Sequence, residues 1–242
     1  MKLIIVRHGD PDYVHDTLTE RGKLEAKLAA DRLAAHDFAA IYVSPLGRAQ
    51  DTARFTLDRL KRTAETLPWL REFEAPIQHP DTGDRRVPWD WLPVVWTAEP
   101  RFYDKDRWSE PDAMQAGGVG AEAKRVFDGL DALLAEHGYR RENGWYRAER
   151  PNTDTLLFFC HFGVECVMLS HLIGVSPMIL WHGFCAAPTA VTVVTTEERR
   201  EGITSFRINT FGDTGHLYAA GEEPSFSARF CEMYSLADQR HD

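Results

Sequence analysis

Four polar landmarks, far apart in the sequence, carry residue types that suit phosphate chemistry. A histidine nitrogen can attack phosphorus and hold a phosphoryl group, and arginine guanidinium groups match phosphate oxygens. A nearby carboxylic acid can protonate a leaving oxygen and then activate water. The residue types therefore predict phosphoryl transfer if the fold brings the landmarks together. They are Arg7-His8-Gly9 in "IIVRHGD", Arg48 in "SPLGRAQDTA", Glu72 in "LPWLREF" and His161 in "FFCHFGV".

Each landmark taken alone also has an ordinary structural explanation. Arg7-His8 is compatible with a surface loop, and Arg48 with a solvated charge on a helix. His161 follows an apolar run and is compatible with a core histidine whose ring nitrogens are satisfied. Glu72 stands in a charged stretch and is ambiguous by itself. The shared position of all four at strand or helix ends favours one common pocket.

The elements that must position these residues follow an alternating pattern. "KLIIV" and "TLLFFC" are continuous apolar runs, typical of strands buried on both faces, and His8 and His161 follow them directly. In a parallel sheet the carboxyl ends of the strands meet at one edge, where ligands bind. The predicted elements before residue 73 are a strand at 2–6, a helix at 18–36 with Thr19 as N-cap, a strand at 39–44, a helix at 45–60 and a strand at 62–70.

The second half of the chain resumes this pattern after an irregular interval. Residues 73–118 contain six prolines, and five of the seven tryptophans lie between 69 and 108, which predicts an inserted cap region. The overall prediction is one α/β domain over residues 1–242, a three-layer α/β/α sandwich with a mainly parallel central sheet. The later predicted elements are a helix at 119–138, a strand or hairpin at 144–149, a strand at 155–160, a helix at 161–175 and strands at 190–198 and 202–211.

Composition excludes several classes of partner. The chain has 242 residues and a net charge of −9, so it lacks the basic footprint expected for binding nucleic acid or an anionic membrane. No apolar run is long enough for a membrane span or a signal peptide. The four cysteines form no CxxC pair, which favours reduced thiols and a cytoplasmic location.

Taken in order, the landmarks resemble those of the histidine phosphatase superfamily, which has the phosphoglycerate-mutase-like fold. Arg7-His8-Gly9 matches the family signature, and "LTERGKLEA", "SPLGRAQDTA", "LRE" and "CHFGV" match its later landmarks. The resemblance covers most of residues 1–72 and 119–196. It implies that His8 is the phosphorylated nucleophile, that Arg7, Arg48 and His161 bind the phosphate, and that Glu72 is the acid and base. It implies no metal and no cofactor.

The chain departs from the family pattern at two places. Phe162 follows the second histidine where glycine is more common, which we expect to narrow the pocket. The stretch after the acid, "FEAPIQHPDTGDRRVPWDWLP", replaces the usual short "G-x-W-E-G" stretch, so the cap is particular to this chain. The choice of Glu72 as the acid depends on the "LRE" match, and Glu74 stays a second candidate.

Further residues are candidate substrate contacts. Phe162 adjoins His161, Tyr13 lies in the loop after the signature, and His182 in "LWHGFCAAPT" is compatible with either a pocket position or a structural role. Arg85 and Arg86 would meet a second anionic group or form a solvated turn. Six aromatic residues either line an apolar wall or form the cap's own core: Trp89, Trp91, Trp96, Phe102, Tyr103 and Trp108.

The function predicted from these observations is metal-independent hydrolysis of a small-molecule phosphomonoester through a phosphohistidine on His8. One alternative is a phosphoglycerate-type phosphomutase, although "FEAP" lacks the basic residues that such mutases carry after the acid. Another is a non-catalytic module that binds phosphoesters. A metallophosphatase that uses metal-capable side chains is less favoured, because their spacing fits no metal motif and the arginines repel a cation. Those side chains are His8, Asp10, Asp12, His15, Asp16 and His161. The sequence predicts neither the natural substrate nor the oligomeric state.

Overall fold

The computed structural model describes residues 1–241, apart from the side chain of Ala228. Its strands are β1 (Lys2–Arg7), β2 (Pro11–Asp12), β3 (Thr17–Leu18), β4 (Ala40–Val43), β5 (Glu65–Thr66), β6 (Ile77–Gln78), β7 (Arg85–Arg86), β8 (Tyr139–Glu142), β9 (Trp145–Ala148), β10 (Thr155–Cys160), β11 (Val191–Arg200) and β12 (Ile203–Asp213). Its helices are α1 (Glu20–Leu33), α2 (Gly47–Leu60), α3 (Pro93–Trp96), α4 (Asp112–Ala116), α5 (Val119–Glu136), α6 (Phe162–Ile173), α7 (Pro177–Gly183) and α8 (Gly215–Tyr218). Short 3₁₀ turns span Pro68–Leu70, Pro100–Tyr103 and Phe226–Ala228.

A mixed sheet of eight strands forms the middle layer, in the order β5-β4-β10-β1-β11-β12-β9-β8. The pairs β5-β4, β4-β10 and β10-β1 are parallel, and the pairs from β1 to β8 are antiparallel. Side chains alternate along β1: Leu3 and Ile5 pack into the core cluster that includes α5 and α6, whereas Ile4 and Val6 pack against α1 and α2. The predicted α/β/α sandwich is confirmed, with its parallel half on the β5 side.

The register of the parallel half brings the polar landmarks to one edge. Arg7 pairs with Cys160, so His8 and His161 are the next residues of adjacent strands. The N–H of His8 donates to the carbonyl of Cys160 at 3.0 Å, and the N–H of Ser44, just after β4, donates to that of Phe159 at 2.9 Å. The carboxyl ends of β1, β10 and β4 are therefore locked side by side.

Thr19 is the N-cap of helix α1, as predicted, and its side chain accepts the N–H of Gly22 at 3.0 Å. Gly22 and Gly9 let this helix end approach the loop after β1. A Cβ on Gly9 would lie 2.7 Å from the carbonyl oxygen of Gly22, and one on Gly22 would lie 2.2 Å from that of Asp10. Gly9 thus has a packing role in addition to any clearance it gives a phosphate.

The predicted strand at 62–70 is mostly wrong. Only Glu65 and Thr66 pair with β4, and the chain then turns through Pro68–Leu70. Pro68 has no N–H for a strand ladder, and its fixed φ suits the first position of a helical turn. The predicted hairpin around residues 144–149 is formed by β8 and β9.

Residues 73–118 form short elements over the α5–α6 face of the sheet. Trp89, Trp91, Phe102 and Trp108 are at most 8% exposed and belong to the larger core cluster, whereas Trp96 and Tyr103 lie at its surface. Four of the six cap aromatics are therefore core residues. Among residues 1–241, no helix has both the length and the apolar character that crossing a membrane requires.

Candidate active site

His8 lies at the end of β1 and is 1% exposed. Its Nδ1 lies 2.8 Å from the carbonyl oxygen of Gly9, so Nδ1 carries the proton and Nε2 keeps a free lone pair. The N–H of Gly9 in turn donates to Oγ1 of Thr52 at 2.9 Å, which fixes this loop. Burial, together with the positive charges of Arg7 and Arg48, holds the pKa of His8 well below its ordinary value. The ring is therefore neutral near pH 7 and nucleophilic at Nε2.

His161 faces His8 from the end of β10, with 5.1 Å between the ring centroids. Its Nε2 lies 2.7 Å from Oγ of Ser44, and that oxygen already accepts the N–H of Leu46 at 3.2 Å. The hydroxyl proton of Ser44 is thus available to Nε2, which leaves the ring proton on Nδ1. Nδ1 is buried and has no hydrogen-bond partner in the part of the chain that is described. Burial and the proximity of His8 hold the pKa of His161 well below its usual range.

Arg7 and Arg48 bring two guanidinium groups to the same pocket. Both lower the pKa values of His8 and His161, which means that all four side chains share one electrostatic environment. The Nε atoms of both arginines are buried without a hydrogen-bond partner within residues 1–241. With Nδ1 of His161, three buried donors are unsatisfied by the protein. Such donors are costly unless an anion or solvent meets them, so the pocket is suited to an anion.

Arg48 is held by Asp16, a contact that the sequence did not indicate. One Oδ atom of Asp16 lies 2.6 Å from Nη1 of Arg48, and the other accepts the N–H of Gly47 at 2.7 Å. The ring of Tyr13 lies 5.5 Å from the guanidinium carbon of Arg48, while Tyr13 itself is 66% exposed. Tyr13 is thus a rim residue that covers the arginine.

Glu72 reaches the site from the segment after the 3₁₀ turn at Pro68–Leu70. Its Oε1 accepts the N–H groups of Phe73 at 2.8 Å and Val164 at 2.9 Å, and its Oε2 accepts that of Gly163 at 3.3 Å. Burial raises the pKa of Glu72, although these hydrogen bonds and the charge of Arg7 act in the opposite direction. A carboxyl with a raised pKa can carry a proton for delivery.

Gly163 is what lets Glu72 dock on the first turn of α6. A Cβ at residue 163 would lie 2.7 Å from Oε1 of Glu72 and 2.4 Å from the ring of Trp89. Glu74, the second candidate acid, is exposed and pairs with Arg71 at 3.1 Å. The structure thus brings Glu72, and not Glu74, to the helix that begins after His161.

A third carboxyl, Glu165, is buried one turn into α6 and was not singled out from the sequence. It is 1% exposed, and burial raises its pKa to about 7. The charge of Arg7 acts on it in the opposite direction, which means that it lies within electrostatic reach of the site. A carboxylate within an apolar run is unusual, and this was the feature of the sequence from which a buried functional carboxyl could have been suspected.

We call Arg7, His8, Arg48, Glu72 and His161 the strand-end site. Among residues 1–241 no three or more histidine, cysteine, aspartate or glutamate side chains are arranged to hold a metal ion. The metal-capable residues of the signature loop have other partners: Asp12 pairs with His15 at 2.7 Å, and Asp16 holds Arg48.

An aromatic cavity of about 710 Å³ adjoins the strand-end site. Phe162 lines it, and the Phe162 ring lies 5.9 Å from the guanidinium carbon of Arg7. His182 also lines it, but both ring nitrogens bond to backbone: Nδ1 donates to the carbonyl of Met178 at 2.8 Å, and Nε2 accepts the N–H of Trp91 at 3.2 Å. His182 therefore contributes a ring surface and braces α7 against the cap.

Comparisons with family models and with curated proteins point to the same family. The family model of the histidine phosphatase superfamily (branch 1) matches residues 3–209. Phosphoserine phosphatase 1 of Hydrogenobacter thermophilus is 28% identical over 228 residues, which cover 90% of this chain and 96% of that protein.

Two solved structures share the fold. A mutant phosphoserine phosphatase of Entamoeba histolytica, in complex with phosphoserine, has a TM-score of 0.61 at 18% identity, covering 89% of this chain and 98% of that one. A mycobacterial glucosyl-3-phosphoglycerate phosphatase has a TM-score of 0.57 at 17% identity, covering 88% and 99%.

Proposed function

The chain belongs to the histidine phosphatase superfamily, as its motifs predict, and from that premise we propose that it hydrolyses phosphomonoesters through a phosphohistidine at Nε2 of His8. One observation carries the proposal: the pocket contains both a free lone pair, on Nε2 of His8, and three unsatisfied hydrogen-bond donors. The donors are on Arg7, Arg48 and His161. A nucleophile and an anion-binding cradle in one buried pocket support attack on a phosphate.

In the first half-reaction, Nε2 of His8 attacks phosphorus in line with the ester oxygen. The P–N bond forms as the P–O bond breaks, and the carboxylic acid of Glu72 gives its proton to the leaving alkoxide. Arg7, Arg48 and the Nδ1–H of His161 stabilise the charge on the equatorial oxygens. The raised pKa of Glu72 supports this role, since the acid must be protonated when the bond breaks.

In the second half-reaction, the Glu72 carboxylate takes a proton from water as the water oxygen attacks phosphorus. The P–N bond breaks, inorganic phosphate leaves, and His8 returns to its neutral form. Each group thus ends in its starting state, and the balanced reaction is ester plus water giving alcohol plus phosphate.

The proposed substrate is a small-molecule phosphate ester. The named phosphatase relatives support a phosphoric monoester hydrolase, and the absence of the mutase-type basic residues in "FEAP" favours hydrolysis over phosphoryl return. The proposal includes a cytoplasmic location, which the buried free thiols of Cys160 and Cys166 suit.

The test is an acid-quenched reaction analysed by mass spectrometry, with a panel of phosphate esters. We expect a phosphoryl group on His8, release of inorganic phosphate, and no loss of activity in EDTA. An isomeric ester as product would identify a mutase instead. Tight binding without turnover would identify a non-catalytic module, and activity that EDTA abolishes and a divalent ion restores would contradict the metal-free scheme.

A further inference from the structure

Apart from Phe162 at the start of α6, the aromatic cavity is built from three parts of the chain that contribute no strand to the central sheet. They are the cap segment at 82–96, the end of α7 with the residues after it, and the C-terminal segment at 229–241. Seven of its seventeen lining residues carry a Trp, Phe or Tyr ring: Trp91, Trp96, Phe162, Trp181, Phe184, Phe230 and Tyr234. A volume of about 710 Å³ is in the range of cavities that enclose a sizeable organic molecule.

The aromatic cavity lies directly beside the strand-end site. Phe162 is both a wall residue and the next residue after His161, and its ring faces the guanidinium group of Arg7. Trp181 donates its Nε1–H to the carbonyl of Gly163 at 3.0 Å, and Gly163 donates to Glu72. A phosphate held by Arg7 and His161 would therefore lie beside these rings.

The shape of the wall favours a flat group. Trp96 stacks on His182 with 4.9 Å between centroids and 22° between planes. Because His182 has both nitrogens committed to backbone groups, this part of the wall offers no free donor or acceptor from that ring. Flat rings gain most from such surfaces by stacking and by burial of apolar area.

Within residues 1–241, one guanidinium group of the cavity has no acidic partner. Asp90 pairs with Arg240 at 3.3 Å, and Arg229 pairs with Glu232 at 3.5 Å. Arg86, in contrast, donates only to the hydroxyl of Thr82 at 3.3 Å, and its buried Nε has no hydrogen-bond partner within the described chain. An anionic substituent in the cavity would satisfy this guanidinium group.

We propose that this cavity binds the alcohol part of the substrate, and that this part is a large flat aromatic group carrying a second acidic substituent that Arg86 recognises. The inference rests on the proposed hydrolase activity. The substrate class is therefore an aryl or heteroaryl phosphate with a further negative charge, and not a small polar ester such as serine phosphate.

The test uses the full-length chain and four esters: phenyl phosphate, naphthyl phosphate, carboxylated naphthyl phosphate and serine phosphate. Phenyl and naphthyl phosphate have leaving groups of similar acidity, so a difference between them reports on the cavity. We expect kcat/KM for naphthyl phosphate to exceed that for phenyl phosphate about tenfold, and the carboxylate to add a further factor of about ten.

Two substitutions assign these gains to residues, each with a matched control. Trp96→Ala should remove most of the naphthyl advantage and leave phenyl phosphate within about twofold, since stacking contributes on this scale. Trp145→Ala, on β9 away from the cavity, should change neither. Arg86→Gln should remove only the carboxylate advantage, whereas Arg85→Gln, at an exposed neighbouring position, should keep it. Thermal melting of each variant confirms folding.

Calorimetric binding of the same esters to His8→Ala separates the two proposals, because it needs no turnover. If His8→Ala binds the esters in the expected order of affinity but the unaltered protein hydrolyses none of them, the proposed function is wrong and the cavity assignment still holds. Equal affinity or equal kcat/KM for phenyl and naphthyl phosphate would overturn the cavity assignment. Indistinguishable effects of Arg86→Gln and Arg85→Gln would overturn the role of Arg86.

Discussion

The strand-end site and the aromatic cavity are neighbours, but they are held in place in different ways. His8 and Glu72 bond to backbone groups next to β1 and within α6, and the Ser44 hydroxyl after β4 fixes His161. The cavity is instead walled by the cap, α7 and the C-terminal segment, which are joined by ring stacking and contacts such as Asp90–Arg240. The two histidines are thus placed by strand ends and Glu72 by the first turn of α6, whereas segments outside the sheet form most of the leaving-group wall.

This difference has a kinetic consequence. A substitution in the strand-end site should slow every ester, since all esters share the phosphoryl group. A substitution in the cavity wall should act on some esters and spare others. The comparison therefore fails if the two sets of variants give the same pattern across substrates.

The largest expected effect is that of His8→Ala. Removing the nucleophile should lower kcat/KM about 10⁴-fold or more for every ester, because Nε2 of His8 is the atom that attacks phosphorus in the proposed mechanism. Initial rates of phosphate release measure it, with circular dichroism to confirm folding. His36→Ala, at an exposed histidine after α1, is the control and should stay within about twofold. Near-normal activity of His8→Ala would contradict the mechanism.

Glu72→Gln should have the next largest effect. Loss of the proton donor should lower kcat about 10²- to 10³-fold for alkyl phosphates, which have poor leaving groups, and less for nitrophenyl phosphate. Glu74→Gln is the matched control, because Glu74 lies two residues from Glu72 but is exposed and bonds to Arg71. A larger loss in Glu74→Gln than in Glu72→Gln would reassign the acid.

The sequence was sufficient where a residue follows a long buried strand. The runs before His8 and His161 were predicted to end at one edge of the sheet, and the structure pairs them as parallel neighbours with both imidazoles at that edge. Local signals also sufficed for the N-cap at Thr19. By the same reasoning Ser44, at the end of "AAIYVS", could have been recognised as a neighbour of His161.

Long-range partners were not predictable in this way. Nothing in the spacing joins Asp16 to Arg48, because the contact depends on how the loop after β2 folds over α2. The strand at 62–70 was overestimated because Pro68 turns the chain after one pair of bridges. An aromatic wall was one of two alternatives for the cap residues, but the C-terminal side of the cavity could not be predicted, since Tyr234 meets Arg86 and Phe162 only through tertiary packing.

Glu165→Gln tests how much the burial of the Glu165 carboxyl lowers the free energy of unfolding. Burial raises the pKa of Glu165 from 4.5 to about 7, so its contribution to stability is present below about pH 4.5 and is lost as the pH rises through about 7. Glutamine does not ionise. Relative to the unaltered protein, the variant should therefore gain about 3 kcal/mol in the free energy of unfolding between pH 4.5 and pH 8.

Urea unfolding at several pH values measures this difference. Glu74→Gln, at an exposed carboxyl, should show no comparable change with pH. A constant difference between Glu165→Gln and the unaltered protein across the range would mean that Glu165 does not titrate there. The cavity wall has no part in this effect, so naphthyl and phenyl phosphate should keep their ratio of kcat/KM in the variant.

The smallest expected effect is at Tyr13, on the rim of the strand-end site. Its ring covers Arg48 at 5.5 Å, and an exposed cation–π contact contributes about 0.5 to 1 kcal/mol. Tyr13→Ala should therefore lower kcat/KM about two- to fivefold, and Tyr13→Phe, which keeps the ring, should restore it. Because Arg48 binds the phosphoryl group in the proposed mechanism, the loss should be equal for phenyl and naphthyl phosphate. A loss confined to naphthyl phosphate would instead make Tyr13 part of the leaving-group wall and move the boundary between the two regions.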